Sequence, residues 1–182
     1  GKALIMAIFL KIISTVFISL LVSNCTLAQR QRPNIVWITS EDNSKHYLKL
    51  FDENGVETPH ISRLASDGLT YTRAFSNTPV CSAARSTLIS GIYGPKLATH
   101  YHRNLRKISM PDNIEMFPAY LRAAGYYTTN NSKEDYNIEK PENVWDESSR
   151  AASWRNRAAG QPFFHVFNFG RTHEGELHFD QS

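Results

Sequence analysis

Short apolar runs alternate with amphipathic ones along most of this chain, and the spacing of the two predicts its elements. Asn34-Ile35-Val36-Trp37-Ile38-Thr39 is an apolar, β-branched run that reads as a strand buried on both faces. A helix signature follows. Thr58 stands as N-cap, Pro59 takes the first helical position, Ile61, Leu64 and Ala65 share one face, and Gly68 is the stop. Leu69 to Phe75 reads as a further strand, and Ser82 to Ser90, closed by Gly91, as a short helix. Ile114 to Ala124 is helical with Pro118 in its opening turn and Gly125 at its end, and Tyr126 to Asn130 is extended after it. Phe163 to Phe169 is the last and most apolar strand. The stretch from Asn131 to Gln161 is polar and weakly periodic, which predicts surface loops. Strand-helix-strand alternation of this kind predicts an α/β fold with a largely parallel sheet sandwiched by helices.

The leading segment has a different pattern. Ile12 to Val22 has the length of a signal-peptide core behind Lys2 and Lys11, and Thr26-Leu27-Ala28 supplies small residues for cleavage, so residues 1–28 are expected to direct export. A stable membrane span over Ala3 to Val22 is disfavoured, because Lys11 near mid-bilayer would cost about 2.5–3.5 kcal/mol. A second reading of the segment makes Cys25 a lipid-anchor site. With 41% apolar and 12% aromatic residues in 182 positions, the remainder has material for one domain of ordinary size. Removing Lys2 and Lys11 leaves 18 basic against 17 acidic residues, which argues against a nucleic-acid partner. Cys81 is then a lone thiol with no partner in an exported chain, and an odd cysteine in that compartment calls for an explanation.

Open α/β sheets bind ligands beyond the carboxyl ends of their strands. Glu41 and Asp42 follow the first predicted strand, Lys133 and Asp135 follow the strand ending near Asn130, and His173 with Glu174 follows the last. Taken singly, such clusters are more often solvated surface than site; their shared rim raises their weight. Val80-Cys81-Ser82-Ala83-Ala84-Arg85-Ser86-Thr87-Leu88-Ile89-Ser90-Gly91 sets the thiol at the mouth of a helix with Arg85 one turn further on. Helix N–H groups and a guanidinium fork suit a tetrahedral anion. The residues by themselves leave open a reactive thiol of a hydrolase or phosphatase, and a small buried cysteine filling a gap. His100-Tyr101-His102 has no third ligand at a telling distance for zinc; it reads as an exposed loop, or as part of a substrate subsite.

From Arg32 to about Gly175 the chain resembles the type I sulfatases of the alkaline phosphatase superfamily. Cys81-x-x-x-Arg85 with Ser90-Gly91 is similar to that family's C-x-P-x-R signature, with Ala83 in the C-x-A-x-R form. Pro33 to Asp42 is similar to its opening, with Glu41 in place of the first of two aspartates. Lys133 matches the lysine of a K-x-H motif, while Asp135 stands where histidine is usual. Phe163 to Glu174 resembles the strand that delivers a leaving-group histidine, here His173.

The resemblance implies a sulfuric ester hydrolase acting on a sulfated carbohydrate. A maturation enzyme would oxidise Cys81 to formylglycine, whose hydrate attacks sulfur and then expels sulfate. Glu41, Asp42 and the modified Cys81 would bind calcium, Arg85 and Lys133 would hold the sulfate, and His173 would protonate the leaving alcohol. It also implies that residues 33–182 are the N-terminal part of a longer catalytic domain, inactive alone, since further metal ligands and a second sulfate-binding lysine follow in the family. Two other readings stay open: a phosphate or phosphonate ester hydrolase of the same superfamily, and a truncated, non-catalytic product that binds sulfated glycan.

Overall fold

The computed structural model describes residue 1 and residues 32–178. The predicted signal segment with Cys25, and residues 179–182, lie outside the described residues, and the fold is that of the compact unit beginning at Asn34. No helix among the described residues is long and apolar enough to cross a membrane.

Four strands form one sheet: β1 (Ile35–Ser40), β2 (Tyr127–Asn131), β3 (Glu147–Ser148) and β4 (Phe163–Phe169). Their order is β1-β4-β2-β3 and every pairing is parallel, as the alternation of elements predicts. β4 has a ladder on both sides, Ile35 to Ser40 opposite Phe164 to Phe169 and Tyr127 to Asn131 opposite Phe163 to Phe167. That central position explains its apolar sequence. Parallel pairing also sends every carboxyl end to one edge, where Ser40, Asn131 and Phe169 lie together.

Among the described residues four α-helices lie in the connection from β1 to β2: α1 (Pro59–Asp67), α2 (Cys81–Ser90), α3 (Gly94–Leu97) and α4 (Phe117–Ala123). α2 ends in a left-handed Gly91 (φ 69°) whose N–H donates to Thr87 O at 2.8 Å, the closure expected of a glycine there. α4 starts three residues later than the periodicity predicts. A helix begun at Ile114 would drive the Pro118 ring against the Ile114 carbonyl, so Met116 stays extended as N-cap and the proline falls in the first turn. On one face of the sheet Phe164 packs against Trp37, Phe117 and Trp145, with ring centroids 5.4–6.2 Å apart. Ile89 of α2 and Met116 close this core.

Three expectations are corrected. Leu69 to Phe75 is not a strand: no ladder partner meets it among the described residues, and Leu69, Tyr71 and Phe75 are exposed. β1 is covered on one face only, for Val36 and Ile38 stand open while Trp37 packs inward; the apolar face of α1 is likewise open at Ile61 and Leu64. The polar stretch from Asn131 to Gln161 is not plain surface loop. It contributes β3 and buries Tyr136, Ile138, Val144 and Trp145, because widely spaced apolar residues in an irregular segment carry no period to read.

Candidate active site

The shared edge of the sheet gathers the predicted polar residues around one carboxylate. Glu41 leaves the end of β1 with its N–H donating to Phe169 O at 3.2 Å, and its side chain is 6% exposed. Arg85 donates to one Glu41 oxygen, and Lys133 Nζ lies 2.6 Å from the other. Cys81 Sγ is 4.0 Å from Glu41 Oε2. Ligating atoms of Glu41, Cys81 and His173 all lie within 4.8 Å of one another. Chain positions 41, 81, 85, 133 and 173 are thus brought together by three parallel strands and the start of α2. Burial alone would raise the Glu41 pKa. The Lys133 hydrogen bond and the Arg85 charge outweigh it and hold the carboxyl below its ordinary 4.5.

Asp42 is a neighbour rather than a member of that knot. It adopts a left-handed backbone (φ 48°), and its Oδ2 accepts the Glu174 N–H at 2.9 Å, tying the turn after β1 to the segment that carries His173. His173 Nδ1 accepts the Gly175 N–H at 3.0 Å, which leaves Nε2 as the protonated nitrogen of the neutral ring. Asp135 is not at the knot: it pairs with Arg103, Nε to Oδ1 at 3.2 Å and Nη2 to Oδ2 at 3.3 Å.

Asn168, which the spacing of charges gives no reason to single out, organises the guanidinium. Its Oδ1 accepts from both Nη1 and Nη2 of Arg85 at 3.0 Å and from Thr39 Oγ1 at 3.0 Å, while its Nδ2 donates to Asn130 Oδ1 at 2.9 Å. Arg85 Nη1 also reaches the Lys133 carbonyl at 3.1 Å. The available signal is compositional: Asn168 and His165 are the only non-apolar residues of β4. The loop carrying His100 to Arg103 is fastened to α2, where Ser82 Oγ accepts the Arg103 N–H at 2.7 Å and lies 3.2 Å from His102 Nδ1. A cavity of about 510 Å³ opens on the knot, its lining made of polar Glu41, Cys81, Arg85 and Asn168 together with apolar Trp37 and Phe117.

Parallel strands bring a thiol, a guanidinium, an ammonium and an imidazole to one edge of an α/β protein, donors and charge of the kind that suits a tetrahedral oxyanion. A family model described as Sulfatase matches residues 33–181, and the chain belongs to that family. An ulvan-active sulfatase of Formosa agariphila is 40% identical over 157 residues, covering 81% of this chain and 26% of that relative. The human N-acetylgalactosamine-6-sulfatase is 32% identical over 105 residues, 53% of this chain and 20% of the relative. The chain therefore spans about a quarter or less of these relatives' length. Among solved structures, a 2-O GAG sulfatase aligns with TM-score 0.65 at 15% identity, over 84% of this chain and 39% of that one. A protein in complex with its substrate D-glucosamine-2-N,6-O-disulfate aligns with TM-score 0.63 at 17% identity, over 79% and 35%. At those identities the likeness is one of fold.

Proposed function

We propose that this chain forms the nucleophile-bearing part of an enzyme that hydrolyses a sulfate ester on a carbohydrate, with Cys81 oxidised to formylglycine and calcium held by Glu41 and Asp42. The observation that carries it is the convergence of Cys81, Arg85, Lys133 and His173 on Glu41 at the carboxyl edge of a parallel sheet. Membership of the sulfatase family and relatives named for sulfated glycans support the substrate class. Ser82 and Ala83 are 1% and 0% exposed, which favours a maturation enzyme that reads the Cys81 segment before the fold closes. The leader around Ile12 to Val22 favours export, where sulfated polysaccharides are met.

The donor set fits the cofactors by its chemistry. Of the grouped Glu41, Cys81 and His173, only Glu41 is a hard oxygen donor of the kind calcium takes, so position 81 suits the metal once oxygen replaces sulfur. Asp42, one residue along from Glu41 and held on the Glu174 N–H, would add a second carboxylate. The oxidised side chain supplies an oxygen nucleophile when hydrated, and the metal supplies positive charge against the sulfate oxygens. The rest falls to the chain. Arg85, oriented by Asn168, presents a planar fork to a tetrahedral anion, and Lys133 adds a point charge from the other side of Glu41. Positive charge set in place beforehand stabilises the negative charge that builds as the ester bond lengthens. In its imidazolium form, with the Nδ1 contact to the Gly175 N–H released, His173 gives its Nε2 proton to the departing alcohol oxygen and returns to the neutral ring.

Mass spectrometry of the Cys81 peptide from the native host tests the modification: the expected peptide has lost the thiol sulfur and gained an oxygen. Sulfate release from defined sulfated oligosaccharides tests the reaction, and chelation of calcium should abolish it. An intact thiol with no sulfate release from any of them would overturn the reading. Faster turnover of a phosphate monoester would favour the phosphate-ester alternative instead.

A further inference from the structure

We propose that Arg103, braced by Asp135, forms a second anion-binding position beside Cys81, receiving a carboxylate or sulfate on the sugar next to the scissile ester; this rests on the sulfate-ester reading above. The pair is set at the site by its backbone. Arg103 N–H donates to Ser82 Oγ, the side chain next to the nucleophile, and Ser82 is buried. Asn137 fixes the same loop from the other side, its Nδ2 donating to Thr99 O at 3.0 Å and Tyr101 O at 2.7 Å and its Oδ1 accepting the Asn104 N–H at 3.0 Å. One short segment thus sends Lys133 to Glu41, Asp135 to Arg103 and Asn137 to the Arg103 loop.

The pair has the wrong character for a stabilising contact. Arg103 is 61% exposed at its side chain, and ion pairs of that kind contribute little to folding. Both residues also hold left-handed backbones, φ 49° each, an arrangement that persists where the surroundings dictate it and that clusters at functional sites. The donor arithmetic indicates a use. A guanidinium has five N–H groups. Asp135 occupies one edge, Nε and one Nη2 hydrogen, leaving both Nη1 hydrogens and the second Nη2 hydrogen without a partner among the described residues on a side chain that is largely exposed. That free edge matches a second planar or tetrahedral anion, and Asp135, only 16% exposed, keeps it aimed. The Asp135 hydrogen bond and charge raise the Arg103 pKa, burial opposing, which keeps the guanidinium a cation. The departure at Asp135 from the usual motif histidine is thereby accounted for: the position serves a neighbouring arginine instead of the knot at Glu41.

The test uses the intact protein and three sulfated disaccharides that differ only on the neighbouring sugar: a uronic acid, the same sugar with its carboxyl reduced to an alcohol, and the reduced sugar bearing a second sulfate. Arg103→Gln should raise KM for one or both anionic forms about tenfold more than for the reduced form, with kcat falling far less than KM rises, since roughly 1.4 kcal/mol of lost charged contact is tenfold. Arg103→Lys should recover part of the loss, a point charge replacing a fork. Whichever anion carries the excess identifies the ligand. Equal penalties on all three disaccharides, or none, would overturn the proposal. Calorimetric binding of the desulfated uronic disaccharide to Cys81→Ser protein, which needs no turnover, should weaken by a like factor in Arg103→Gln. Loss of that difference sinks the second position, whereas absence of sulfate release from unsubstituted protein sinks only the reaction.

Discussion

Arg85 is the residue on which the site's geometry turns, because its guanidinium meets Glu41, Asn168 and the Lys133 carbonyl at once. A lysine there keeps the charge and loses the fork, so Arg85→Lys is expected to lower kcat/KM by about 10²–10³ with little change in fold, read by steady-state kinetics beside a circular-dichroism spectrum. Two buried groups with lowered pKa, His165 and Glu41, contribute to acid sensitivity in separate windows. His165 is 1% exposed, and burial, aided by the Arg155 charge, holds its pKa below the ordinary 6.5. A depressed folded pKa means that the unfolded chain binds the proton first, so this contribution is present above pH 6.5 and is lost as pH falls through the folded value. Glu41, also depressed, loses its share below pH 4.5 by the same sign. His165→Gln should flatten the first decline and leave the second, measured as unfolding free energy against pH; an unchanged slope just below pH 6.5 would exclude His165 as its source.

At the scale of elements, α2 does two jobs that its sequence declares unequally. Cys81 and Arg85 declare the first. The second is hidden in serines: Ser86 Oγ donates to Ser82 O at 2.6 Å and accepts the Asn137 N–H at 2.8 Å, so the helix fixes the 133–137 segment that carries Lys133 and Asp135. Ser86→Ala strands a buried N–H and should destabilise the fold by about 1–3 kcal/mol, with a rise in KM from the loosened Lys133, checked by denaturant titration and kinetics. The end of the same helix offers a cleaner backbone test. Gly91 sits at φ 69° with open space where a Cβ would go, so Gly91→Ala should cost about 1–2 kcal/mol from conformation alone, without a clash. A null result in the same titration would mean that the turn relaxes to another closure.

For the molecule as a whole, the aromatic cluster around Phe164 joins the sheet to α4 and to the irregular segment that holds Trp145. Phe164→Ala should destabilise by about 3–5 kcal/mol and loosen the site with it, since β4 carries both Phe164 and Asn168. Much of this architecture is legible in the chain itself. The apolar, β-branched run at 35–40 and the aromatic run at 163–169 read as strands and are strands, and the Cys81-x-x-x-Arg85 spacing, once helical, sets its two side chains one turn apart on the same face. Clusters that come after strands must share a rim once the sheet is parallel, which is why Glu41, Lys133 and His173 can be grouped from their chain positions. Local pattern could not say which neighbours exist. Leu69 to Phe75 has the composition of a strand and lacks a ladder among the described residues, while Ile138 and Val144 lie in a polar stretch and are buried because distant chain folds over them. The same holds for Asp135 and Asn168. Their partners, Arg103 and Arg85, lie 32 and 83 residues away in sequence, and hydrogen bonds across such separations are chosen by the packing of the finished sheet, not by any period along the chain.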